Sequence, residues 1–174
     1  MNREALLTLP NVISLSRLVL ASLFVVTPSQ AARVAIVAAA GATAMLDGWL
    51  ARRMRTASRL GAIVDPIADR LFVLTVIGAF LFEGALTWAQ TLLLLSRDVA
   101  TTIGFFVARI VSWLRPVELR ARLAGKLVTV LQMATLVAVL VLPGVVPALV
   151  LVVAALSAVA VADYTRMLWQ GRMR

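Results

Sequence analysis

Residues 47–69 read DGWLARRMRTASRLGAIVDPIAD and join two long apolar segments through an arginine-rich turn. Asp47, Asp65 and Asp69 are three of only eight acidic residues in the 174-residue chain. Each lies at or just inside the edge of an apolar segment, where an uncompensated carboxylate is costly. The turn would bring the three together, and three like charges in one site need a cation. Because carboxylate oxygens are hard ligands, the stretch predicts a Mg²⁺, Mn²⁺ or Ca²⁺ site.

The composition is that of a membrane protein. Hydrophobic residues make up 62% of the chain and charged residues 14%, which is too little polar surface for an ordinary soluble domain. The length suits a single membrane domain over residues 1–174. The chain has no Cys and no His, which excludes disulfides and thiolate chemistry and leaves acid–base work to carboxylates.

The apolar runs predict an all-α integral membrane protein with six transmembrane helices. Irregular spans are excluded because backbone groups exposed to lipid would lack hydrogen-bond partners. Turn signals at 27–30, 83–84 and 143–147 and two arginine-rich stretches separate the runs. The six segments cover approximately residues 11–26, 32–51, 61–82, 85–113, 127–142 and 148–169.

The positive charge is unevenly distributed. The net charge is +9, from 17 basic and eight acidic residues. In six helices, the N-terminus, the 52–60 and 114–126 stretches and the C-terminus share one side, whereas the other side has Arg33 and little else. This bias predicts a cytoplasmic location for the basic side, for both termini and for the acidic stretch, in the inner membrane of the cell. It also favours anionic lipid over nucleic acid as the partner.

The local spacing suits phosphoryl transfer. Asp65 and Asp69 are four residues apart, so on one helix they share a face. The small residues Ala44, Gly48 and Ala51 recur at helical spacing and leave room for a ligand against the backbone. Gly61 also permits close approach of a ligand to the backbone, and Arg52 can donate two parallel hydrogen bonds to a phosphate. Such chemistry depends mainly on positioning and charge neutralisation, often with two metal ions about 3.5–4 Å apart.

Two other interpretations of the acidic residues remain open. They could form a buried ion-pair network with Arg52, Arg70 or Arg97, or they could line an ion path. The first would be structural. The second is less consistent with carboxylates that cluster at one membrane face.

The spacing of the stretch resembles the motif of the CDP-alcohol phosphatidyltransferase family, integral membrane enzymes of phospholipid synthesis. The match covers seven fixed positions within 23 residues, and these are Asp47, Gly48, Ala51, Arg52, Gly61, Asp65 and Asp69. Further stretches are similar to the phosphatidylglycerophosphate synthase and eukaryotic-type cardiolipin synthase branches. They read LPNVISLSR at 9–17, DPIADR at 65–70, SRD at 96–98 and GKLVTVLQM at 125–133.

The resemblance implies transfer of a phosphatidyl group from CDP-diacylglycerol to an alcohol, with release of CMP. The acceptor would be glycerol 3-phosphate or, in the cardiolipin branch, phosphatidylglycerol. Asp47, Asp65 and Asp69 would bind one or two Mg²⁺ or Mn²⁺ ions, and Asp69 would also act as the general base. A homodimer is implied by the same resemblance. The donor would be held by Gly48, Ala51, Arg52 and Gly61.

An acceptor that carries a phosphate needs cations. Arg97 lies within an apolar segment, where an unpaired charge is expensive, so it is a candidate for this phosphate. Its neighbours in this role would be Arg122 and Lys126, at the start of the fifth segment. The alternative for Arg97 is a structural pair with Asp98 or with a motif aspartate.

The chain departs from the family pattern at one position. The pattern begins with an Asp three residues before Asp47, and this position is Ala44 here. One metal-binding carboxylate is therefore missing. The chain could work with three carboxylates, could bind CDP-lipids without turnover, or could be an enzyme disabled by substitution.

Overall fold

The computed structural model describes the backbone of residues 9–54, 61–110 and 123–171 and the side chains of residues 15–44, 46, 67–103 and 127–162. This part of the chain is all-helical, as predicted. It contains six α-helices and a short 3-10 turn at Pro143–Val145. The helices are α1 (Leu9–Val26), α2 (Gln30–Met54), α3 (Gly61–Phe82), α4 (Trp88–Ile110), α5 (Leu123–Val141) and α6 (Val146–Gly171).

The first of two compact units contains the described residues up to 86 together with 136–143. In it, α1 packs against both α2 and α3. Phe24 of α1 and Phe80 of α3 are both buried, and their rings meet edge to face with centroids 5.4 Å apart. Such a pair adds about 0.5–1.5 kcal/mol beyond the burial of its area. The aromatic contact therefore anchors α1 to α3.

Polar contacts close this unit at the end where α2 begins. Arg33 forms a bidentate ion pair with Glu83, with nitrogen–oxygen distances of 2.8 and 2.7 Å. Its Nε also donates to the carbonyl oxygen of Thr27 at 2.7 Å, and its guanidinium lies 5.0 Å from the ring centroid of Phe24. Gln30 donates to the carbonyl oxygen of Leu140, a contact between the start of α2 and the end of α5.

The second unit contains the described residues 87–135 and 144–171. Here α4 packs against α6. The core is formed by Leu94, Val128, Val150 and Val153, all almost fully buried. Polar side chains are buried beside these, and they are Thr91, Gln132, Thr135 and Ser157.

The start of α4 differs from its predicted position. The fourth apolar segment was expected from residue 85, but the helix begins at Trp88. Gly84 has a φ of +71°, and the amides of Gly84 and Ala85 donate back to Leu81 and Phe80, a Schellman ending of α3. Thr87 and Gln90 then exchange hydrogen bonds as a capping box. Ala85 and Leu86 therefore belong to this turn and not to α4.

Among the described residues, one helical stretch has the length and the apolar composition needed to cross a membrane. This stretch is Pro143–Ala162, and most of it is not buried inside the described structure. Leu15–Val26, Gln30–Ala44 and Leu127–Val141 are shorter apolar helices, and each adjoins residues whose side chains are not described. Six helices are thus confirmed, whereas six membrane crossings stay a prediction.

Candidate functional site

The motif is carried by the end of α2 and the start of α3. Asp47, Gly48, Ala51 and Arg52 lie in the last turns of α2, which ends at Met54. Gly61 begins α3, and Asp65 and Asp69 follow in the same helix. Four-residue spacing on a continuous helix places these two carboxyl-bearing positions on one face. The side chains of these positions lie outside the described set, except that of Asp69. Convergence of the three carboxylates therefore stays a prediction.

Asp69 has a basic partner on α1. Nη1 of Arg17 lies 3.7 Å from Oδ1 of Asp69, and the Arg17 side chain is only 3% exposed. This distance is that of an ion pair and exceeds a hydrogen bond. The Asp69 side chain is 27% exposed, so part of it stays accessible to a ligand. The buried guanidinium compensates negative charge in the motif while leaving the carboxylate reachable.

Sequence reasoning considered other basic partners for the aspartates and missed Arg17. One signal was available, because a lone arginine inside the first apolar segment needs a compensating anion. Arg17 also belongs to the LPNVISLSR stretch, whose resemblance was noted without a role for the arginine.

The metal assignment rests on the chemistry of the donor set. Within the described side chains no group of three or more acidic, His or Cys residues is close enough to bind a metal, and Asp47 and Asp65 lie outside that set. Asp69 is described and partly accessible, and three carboxylates without nitrogen or sulfur ligands fit a hard divalent cation.

Ala44 is partly exposed in α2, in the turn before Asp47. A small, partly accessible side chain at this position leaves the site with one carboxylate fewer than the family pattern provides. The same helix also has Gly41, and a Cβ added there would meet no atom within 4 Å in the described structure. The glycine is therefore not required by close helix packing.

Arg97 of α4 reaches toward α5. Its Nη1 donates to the hydroxyl of Thr129 at 3.0 Å, and the side chain is partly buried. Ion pairs among the described side chains join Arg17 to Asp69 and Arg33 to Glu83, and none of them includes Arg97. Of the structural alternatives for Arg97, the pair with Asp98 is thus not observed, and a pair with Asp47 or Asp65 lies outside the described side chains. A guanidinium held by one neutral hydroxyl keeps most of its capacity to bind an anion.

Two other residues, Arg122 and Lys126, were expected near the acceptor phosphate. Arg122 lies outside the described residues. Lys126 lies in the first turns of α5, with its side chain outside the described set. Because α5 begins at Leu123, earlier than the expected residue 127, Lys126 belongs to the helix and not to the stretch before it.

Asp98 follows Arg97 and also has a partner on α5. Nε2 of Gln132 donates to Oδ2 of Asp98 at 3.1 Å and to the carbonyl oxygen of Leu94 at 3.2 Å. Gln132 itself is 3% exposed. Thr129 and Gln132 are three residues apart and therefore share one face of α5. The stretch at 125–133 was identified from the sequence as similar to the family, but no role was assigned to Thr129 or Gln132.

The chain belongs to the CDP-alcohol phosphatidyltransferase family, whose model matches residues 7–162. That range contains both helices of the motif, the Arg17 position and the polar cluster of α4 and α5.

Relatives come from both of the expected branches. A putative cardiolipin synthase of Mycobacterium tuberculosis is 38% identical over 102 residues, covering 56% of this chain and 49% of the relative. A probable phosphatidylglycerophosphate synthase of the same species is 36% identical over 110 residues, covering 58% and 53%. A CDP-diacylglycerol–glycerol-3-phosphate 3-phosphatidyltransferase of Aquifex aeolicus is 33% identical over 103 residues, covering 56% and 58%. The chain thus spans about half the length of the curated relatives it matches.

Proposed function

We propose that this protein transfers a phosphatidyl group from CDP-diacylglycerol to glycerol 3-phosphate and releases CMP. The main support is the family match over residues 7–162, together with seven retained motif positions in residues 47–69. The relatives named a probable phosphatidylglycerophosphate synthase and a glycerol-3-phosphate 3-phosphatidyltransferase support glycerol 3-phosphate as the acceptor.

The reaction exchanges the phosphoanhydride bond of CDP-diacylglycerol for a phosphoester bond to the acceptor. The acceptor hydroxyl oxygen forms a bond to the phosphorus of the phosphatidyl group, the bond from that phosphorus to the CMP oxygen breaks, and CMP leaves. Asp69 takes the proton of the hydroxyl, a role for which its partly exposed carboxylate is suited. Arg17 keeps the charge of this carboxylate compensated between reaction cycles.

Donor binding is assigned to the small and cationic positions of the motif. Gly48, Ala51 and Gly61 leave space for the cytidine and pyrophosphate, and Arg52 offers a planar fork to phosphate oxygens. Asp47, Asp65 and Asp69 would hold one or two Mg²⁺ or Mn²⁺ ions. A bound divalent cation would supply charge neutralisation for the pyrophosphate.

Acceptor binding is assigned to Arg97, with Arg122 and Lys126 as further cations. Arg97 supports this because the hydroxyl of Thr129 orients its guanidinium without neutralising it. In a region of low dielectric, a guanidinium of this kind favours a phosphate ligand.

Phosphatidylglycerol is the second candidate acceptor, with cardiolipin as the product. Support for it comes from the relative named a putative cardiolipin synthase in Mycobacterium tuberculosis, at 38% identity, and from one named a CMP-forming cardiolipin synthase in Streptomyces coelicolor, at 35%. Both acceptors offer a primary hydroxyl and a phosphate on one glycerol, so the same residues would serve either.

The cellular setting follows from the same proposal. The protein would lie in the inner cell membrane with six spans, and its termini and active site would face the cytoplasm. Exposed leucine and valine side chains on the described helices support contact with lipid, among them Val19, Leu92, Val130 and Leu151. A homodimer is proposed from the family alone.

The test is CMP release from CDP-diacylglycerol in the presence of Mg²⁺ or Mn²⁺, with each acceptor supplied separately. Glycerol 3-phosphate should support release, and Asp69→Asn should reduce it by about 10²-fold or more, the range of general-base catalysis. Ala44→Asp should lower the metal concentration needed for half-maximal release. Absence of CMP with every acceptor in both the wild type and Ala44→Asp would instead favour a CDP-lipid-binding protein without turnover.

A further inference from the structure

Arg97 and Asp98 are adjacent and oppositely charged, yet each is held by a different neutral side chain. The guanidinium bonds to Thr129, and the carboxylate bonds to Gln132. Among the described side chains no ion pair joins the two. Since both partners lie on one face of α5, both charged groups are directed toward that helix. The arrangement keeps the two charges from neutralising each other.

Gln132 and Asp98 differ in how many of their hydrogen-bonding groups are already in use. Both N–H groups of the Gln132 amide are occupied, one by Asp98 and one by Leu94. Gln132 is therefore a fixed and saturated donor. Oδ1 of Asp98 accepts no hydrogen bond from any described residue, although a carboxylate can accept about four in all. Asp98 is also only partly buried. One carboxylate oxygen is thus oriented by the protein, and the other is left for a donor outside the described residues.

We infer that Asp98 recognises the secondary hydroxyl of a glycerophosphate acceptor, and that Gln132 is the residue that positions it. This inference rests on the proposed function, in which Arg97 binds the acceptor phosphate. The hydroxyl at C2 is attached to the carbon next to the one that carries the phosphate. An acceptor with this pattern presents an anion and a hydrogen-bond donor side by side, which matches a guanidinium followed directly by a carboxylate.

The chemistry of the carboxylate sets the specificity. An ionised carboxylate only accepts hydrogen bonds, so it favours an O–H group and gains nothing from a methylene group in its place. Sites built to bind a substrate hydroxyl reject analogues that lack it because their own polar groups are left unpaired. The C2 hydroxyl is present in glycerol 3-phosphate and in the head group of phosphatidylglycerol. Asp98 would therefore select glycerol-type acceptors of either kind.

The experiment compares two acceptors that differ only at C2. Glycerol 3-phosphate and 3-hydroxypropyl phosphate are supplied with CDP-diacylglycerol and Mg²⁺, and kcat/KM for CMP release is measured for each. The wild type should prefer glycerol 3-phosphate by about 10- to 100-fold, the effect of one hydrogen bond to a charged group. Asp98→Asn should reduce this preference at least fivefold, mainly through KM for glycerol 3-phosphate.

A second variant keeps the test independent of the folding of the first. Gln132→Met preserves the volume of the side chain and removes both N–H donors, so it should also reduce the preference while KM for CDP-diacylglycerol stays unchanged. Thr135→Val is the matched control. It removes a fully buried hydroxyl one turn further along α5, and among the described residues this hydroxyl bonds only to the carbonyl oxygen of Leu131 in its own helix. The variant should keep the wild-type preference.

The outcomes separate this inference from the proposed function. If the wild type releases CMP equally well with both acceptors, or if Asp98→Asn and Gln132→Met keep its preference, the inference is overturned and the transferase activity stands. The comparison is repeated in bilayers with phosphatidylglycerol and phosphatidyl-1,3-propanediol, which identifies a lipid acceptor. If no pair supports CMP release, the transferase proposal fails. In that case, calorimetry measures the Kd of glycerol 3-phosphate and of 3-hydroxypropyl phosphate for the wild type and for Asp98→Asn. Tighter binding of glycerol 3-phosphate that is lost in Asp98→Asn supports the inference. Equal binding of the two ligands to the wild type, or no binding, overturns it.

Discussion

Removing the ion pair between Arg33 and Glu83 should destabilise the first unit by an amount that depends on which partner is removed. Arg33 is the more buried partner, with 14% of its side chain exposed against 43% for Glu83. When Glu83 becomes glutamine, one acceptor oxygen remains and Arg33 keeps its bond to Thr27. Exposed ion pairs contribute about 0.2–1 kcal/mol to stability. This pair is bidentate and half buried, so Glu83→Gln should cost an amount at the upper end of that range, about 1 kcal/mol.

Arg33→Met should cost more. It removes the bidentate pair, the hydrogen bond from Nε to Thr27 and the contact with the ring of Phe24. A hydrogen bond from a charged group is worth about 1.5–3 kcal/mol and an exposed cation–π contact about 0.5–1 kcal/mol. The freed Glu83 carboxylate is hydrated, which offsets part of this loss. We expect about 2–3 kcal/mol in all, by these same magnitudes.

Thermal unfolding in detergent measures both effects. A chain of this size shifts in Tm by about 2–4 °C per kcal/mol, so Glu83→Gln should lower Tm by about 2–4 °C and Arg33→Met by about 4–12 °C. The double variant isolates the pair, and its coupling energy should be about 1 kcal/mol. Exchanging the two residues, as Arg33→Glu with Glu83→Arg, controls for net charge. Strict additivity of the single variants, or a Tm unchanged in Arg33→Met, would refute the assigned contact.

Three further predictions address packing, backbone conformation and the acceptor. Phe80→Ala should lower stability by about 3–5 kcal/mol in denaturant unfolding, because it leaves a cavity against Phe24, whereas Phe80→Leu should cost less. Gly84→Ala should destabilise the protein by about 1 kcal/mol, because the φ of +71° disfavours a residue with a Cβ. Gly78→Ala, in the interior of α3, is the control and should stabilise the protein by about 0.5–1 kcal/mol. Equal changes in the free energy of unfolding for the two variants would contradict this. Arg97→Gln should raise KM for glycerol 3-phosphate by about tenfold or more and leave KM for CDP-diacylglycerol unchanged, and an unchanged acceptor KM would exclude the phosphate contact.

The helices were largely predictable because a bilayer leaves the backbone few choices. The third segment was predicted over 61–82, and α3 occupies the same residues. The start of α4 was missed because Ala85 and Leu86 are apolar, and hydropathy does not distinguish a helix from the turn that precedes it. The local chemistry did contain the signal, since Gly84 and the Thr87-x-x-Gln90 spacing are typical of a helix end followed by a capping box.

The partners of the charged residues were less predictable, because they depend on how the helices are rotated against each other. Arg33 was the one notable basic residue on its side of the predicted topology, and Glu83 lies in a turn on the same side. Nothing in their spacing, fifty residues apart, distinguished an ion pair from separate hydration of the two side chains. The pairing of Arg17 with Asp69 was missed for the same reason. The periodicity of a helix fixes which residues share a face. It does not fix which face meets which helix.

Two arrangements of opposite charges in this chain imply two different uses of charge. Arg33 and Glu83 bond directly to each other through both arms of the guanidinium, so that each carboxylate oxygen accepts a hydrogen bond from the arginine. Arg97 and Asp98 are closer in sequence, yet Thr129 and Gln132 hold them separately. Direct pairing would be the more stable choice for two adjacent charges in a region of low dielectric. A fold that holds them apart with neutral partners, the partly buried Thr129 and the buried Gln132, forgoes this stabilisation, and an acceptor with an anion beside a hydroxyl would recover it on binding.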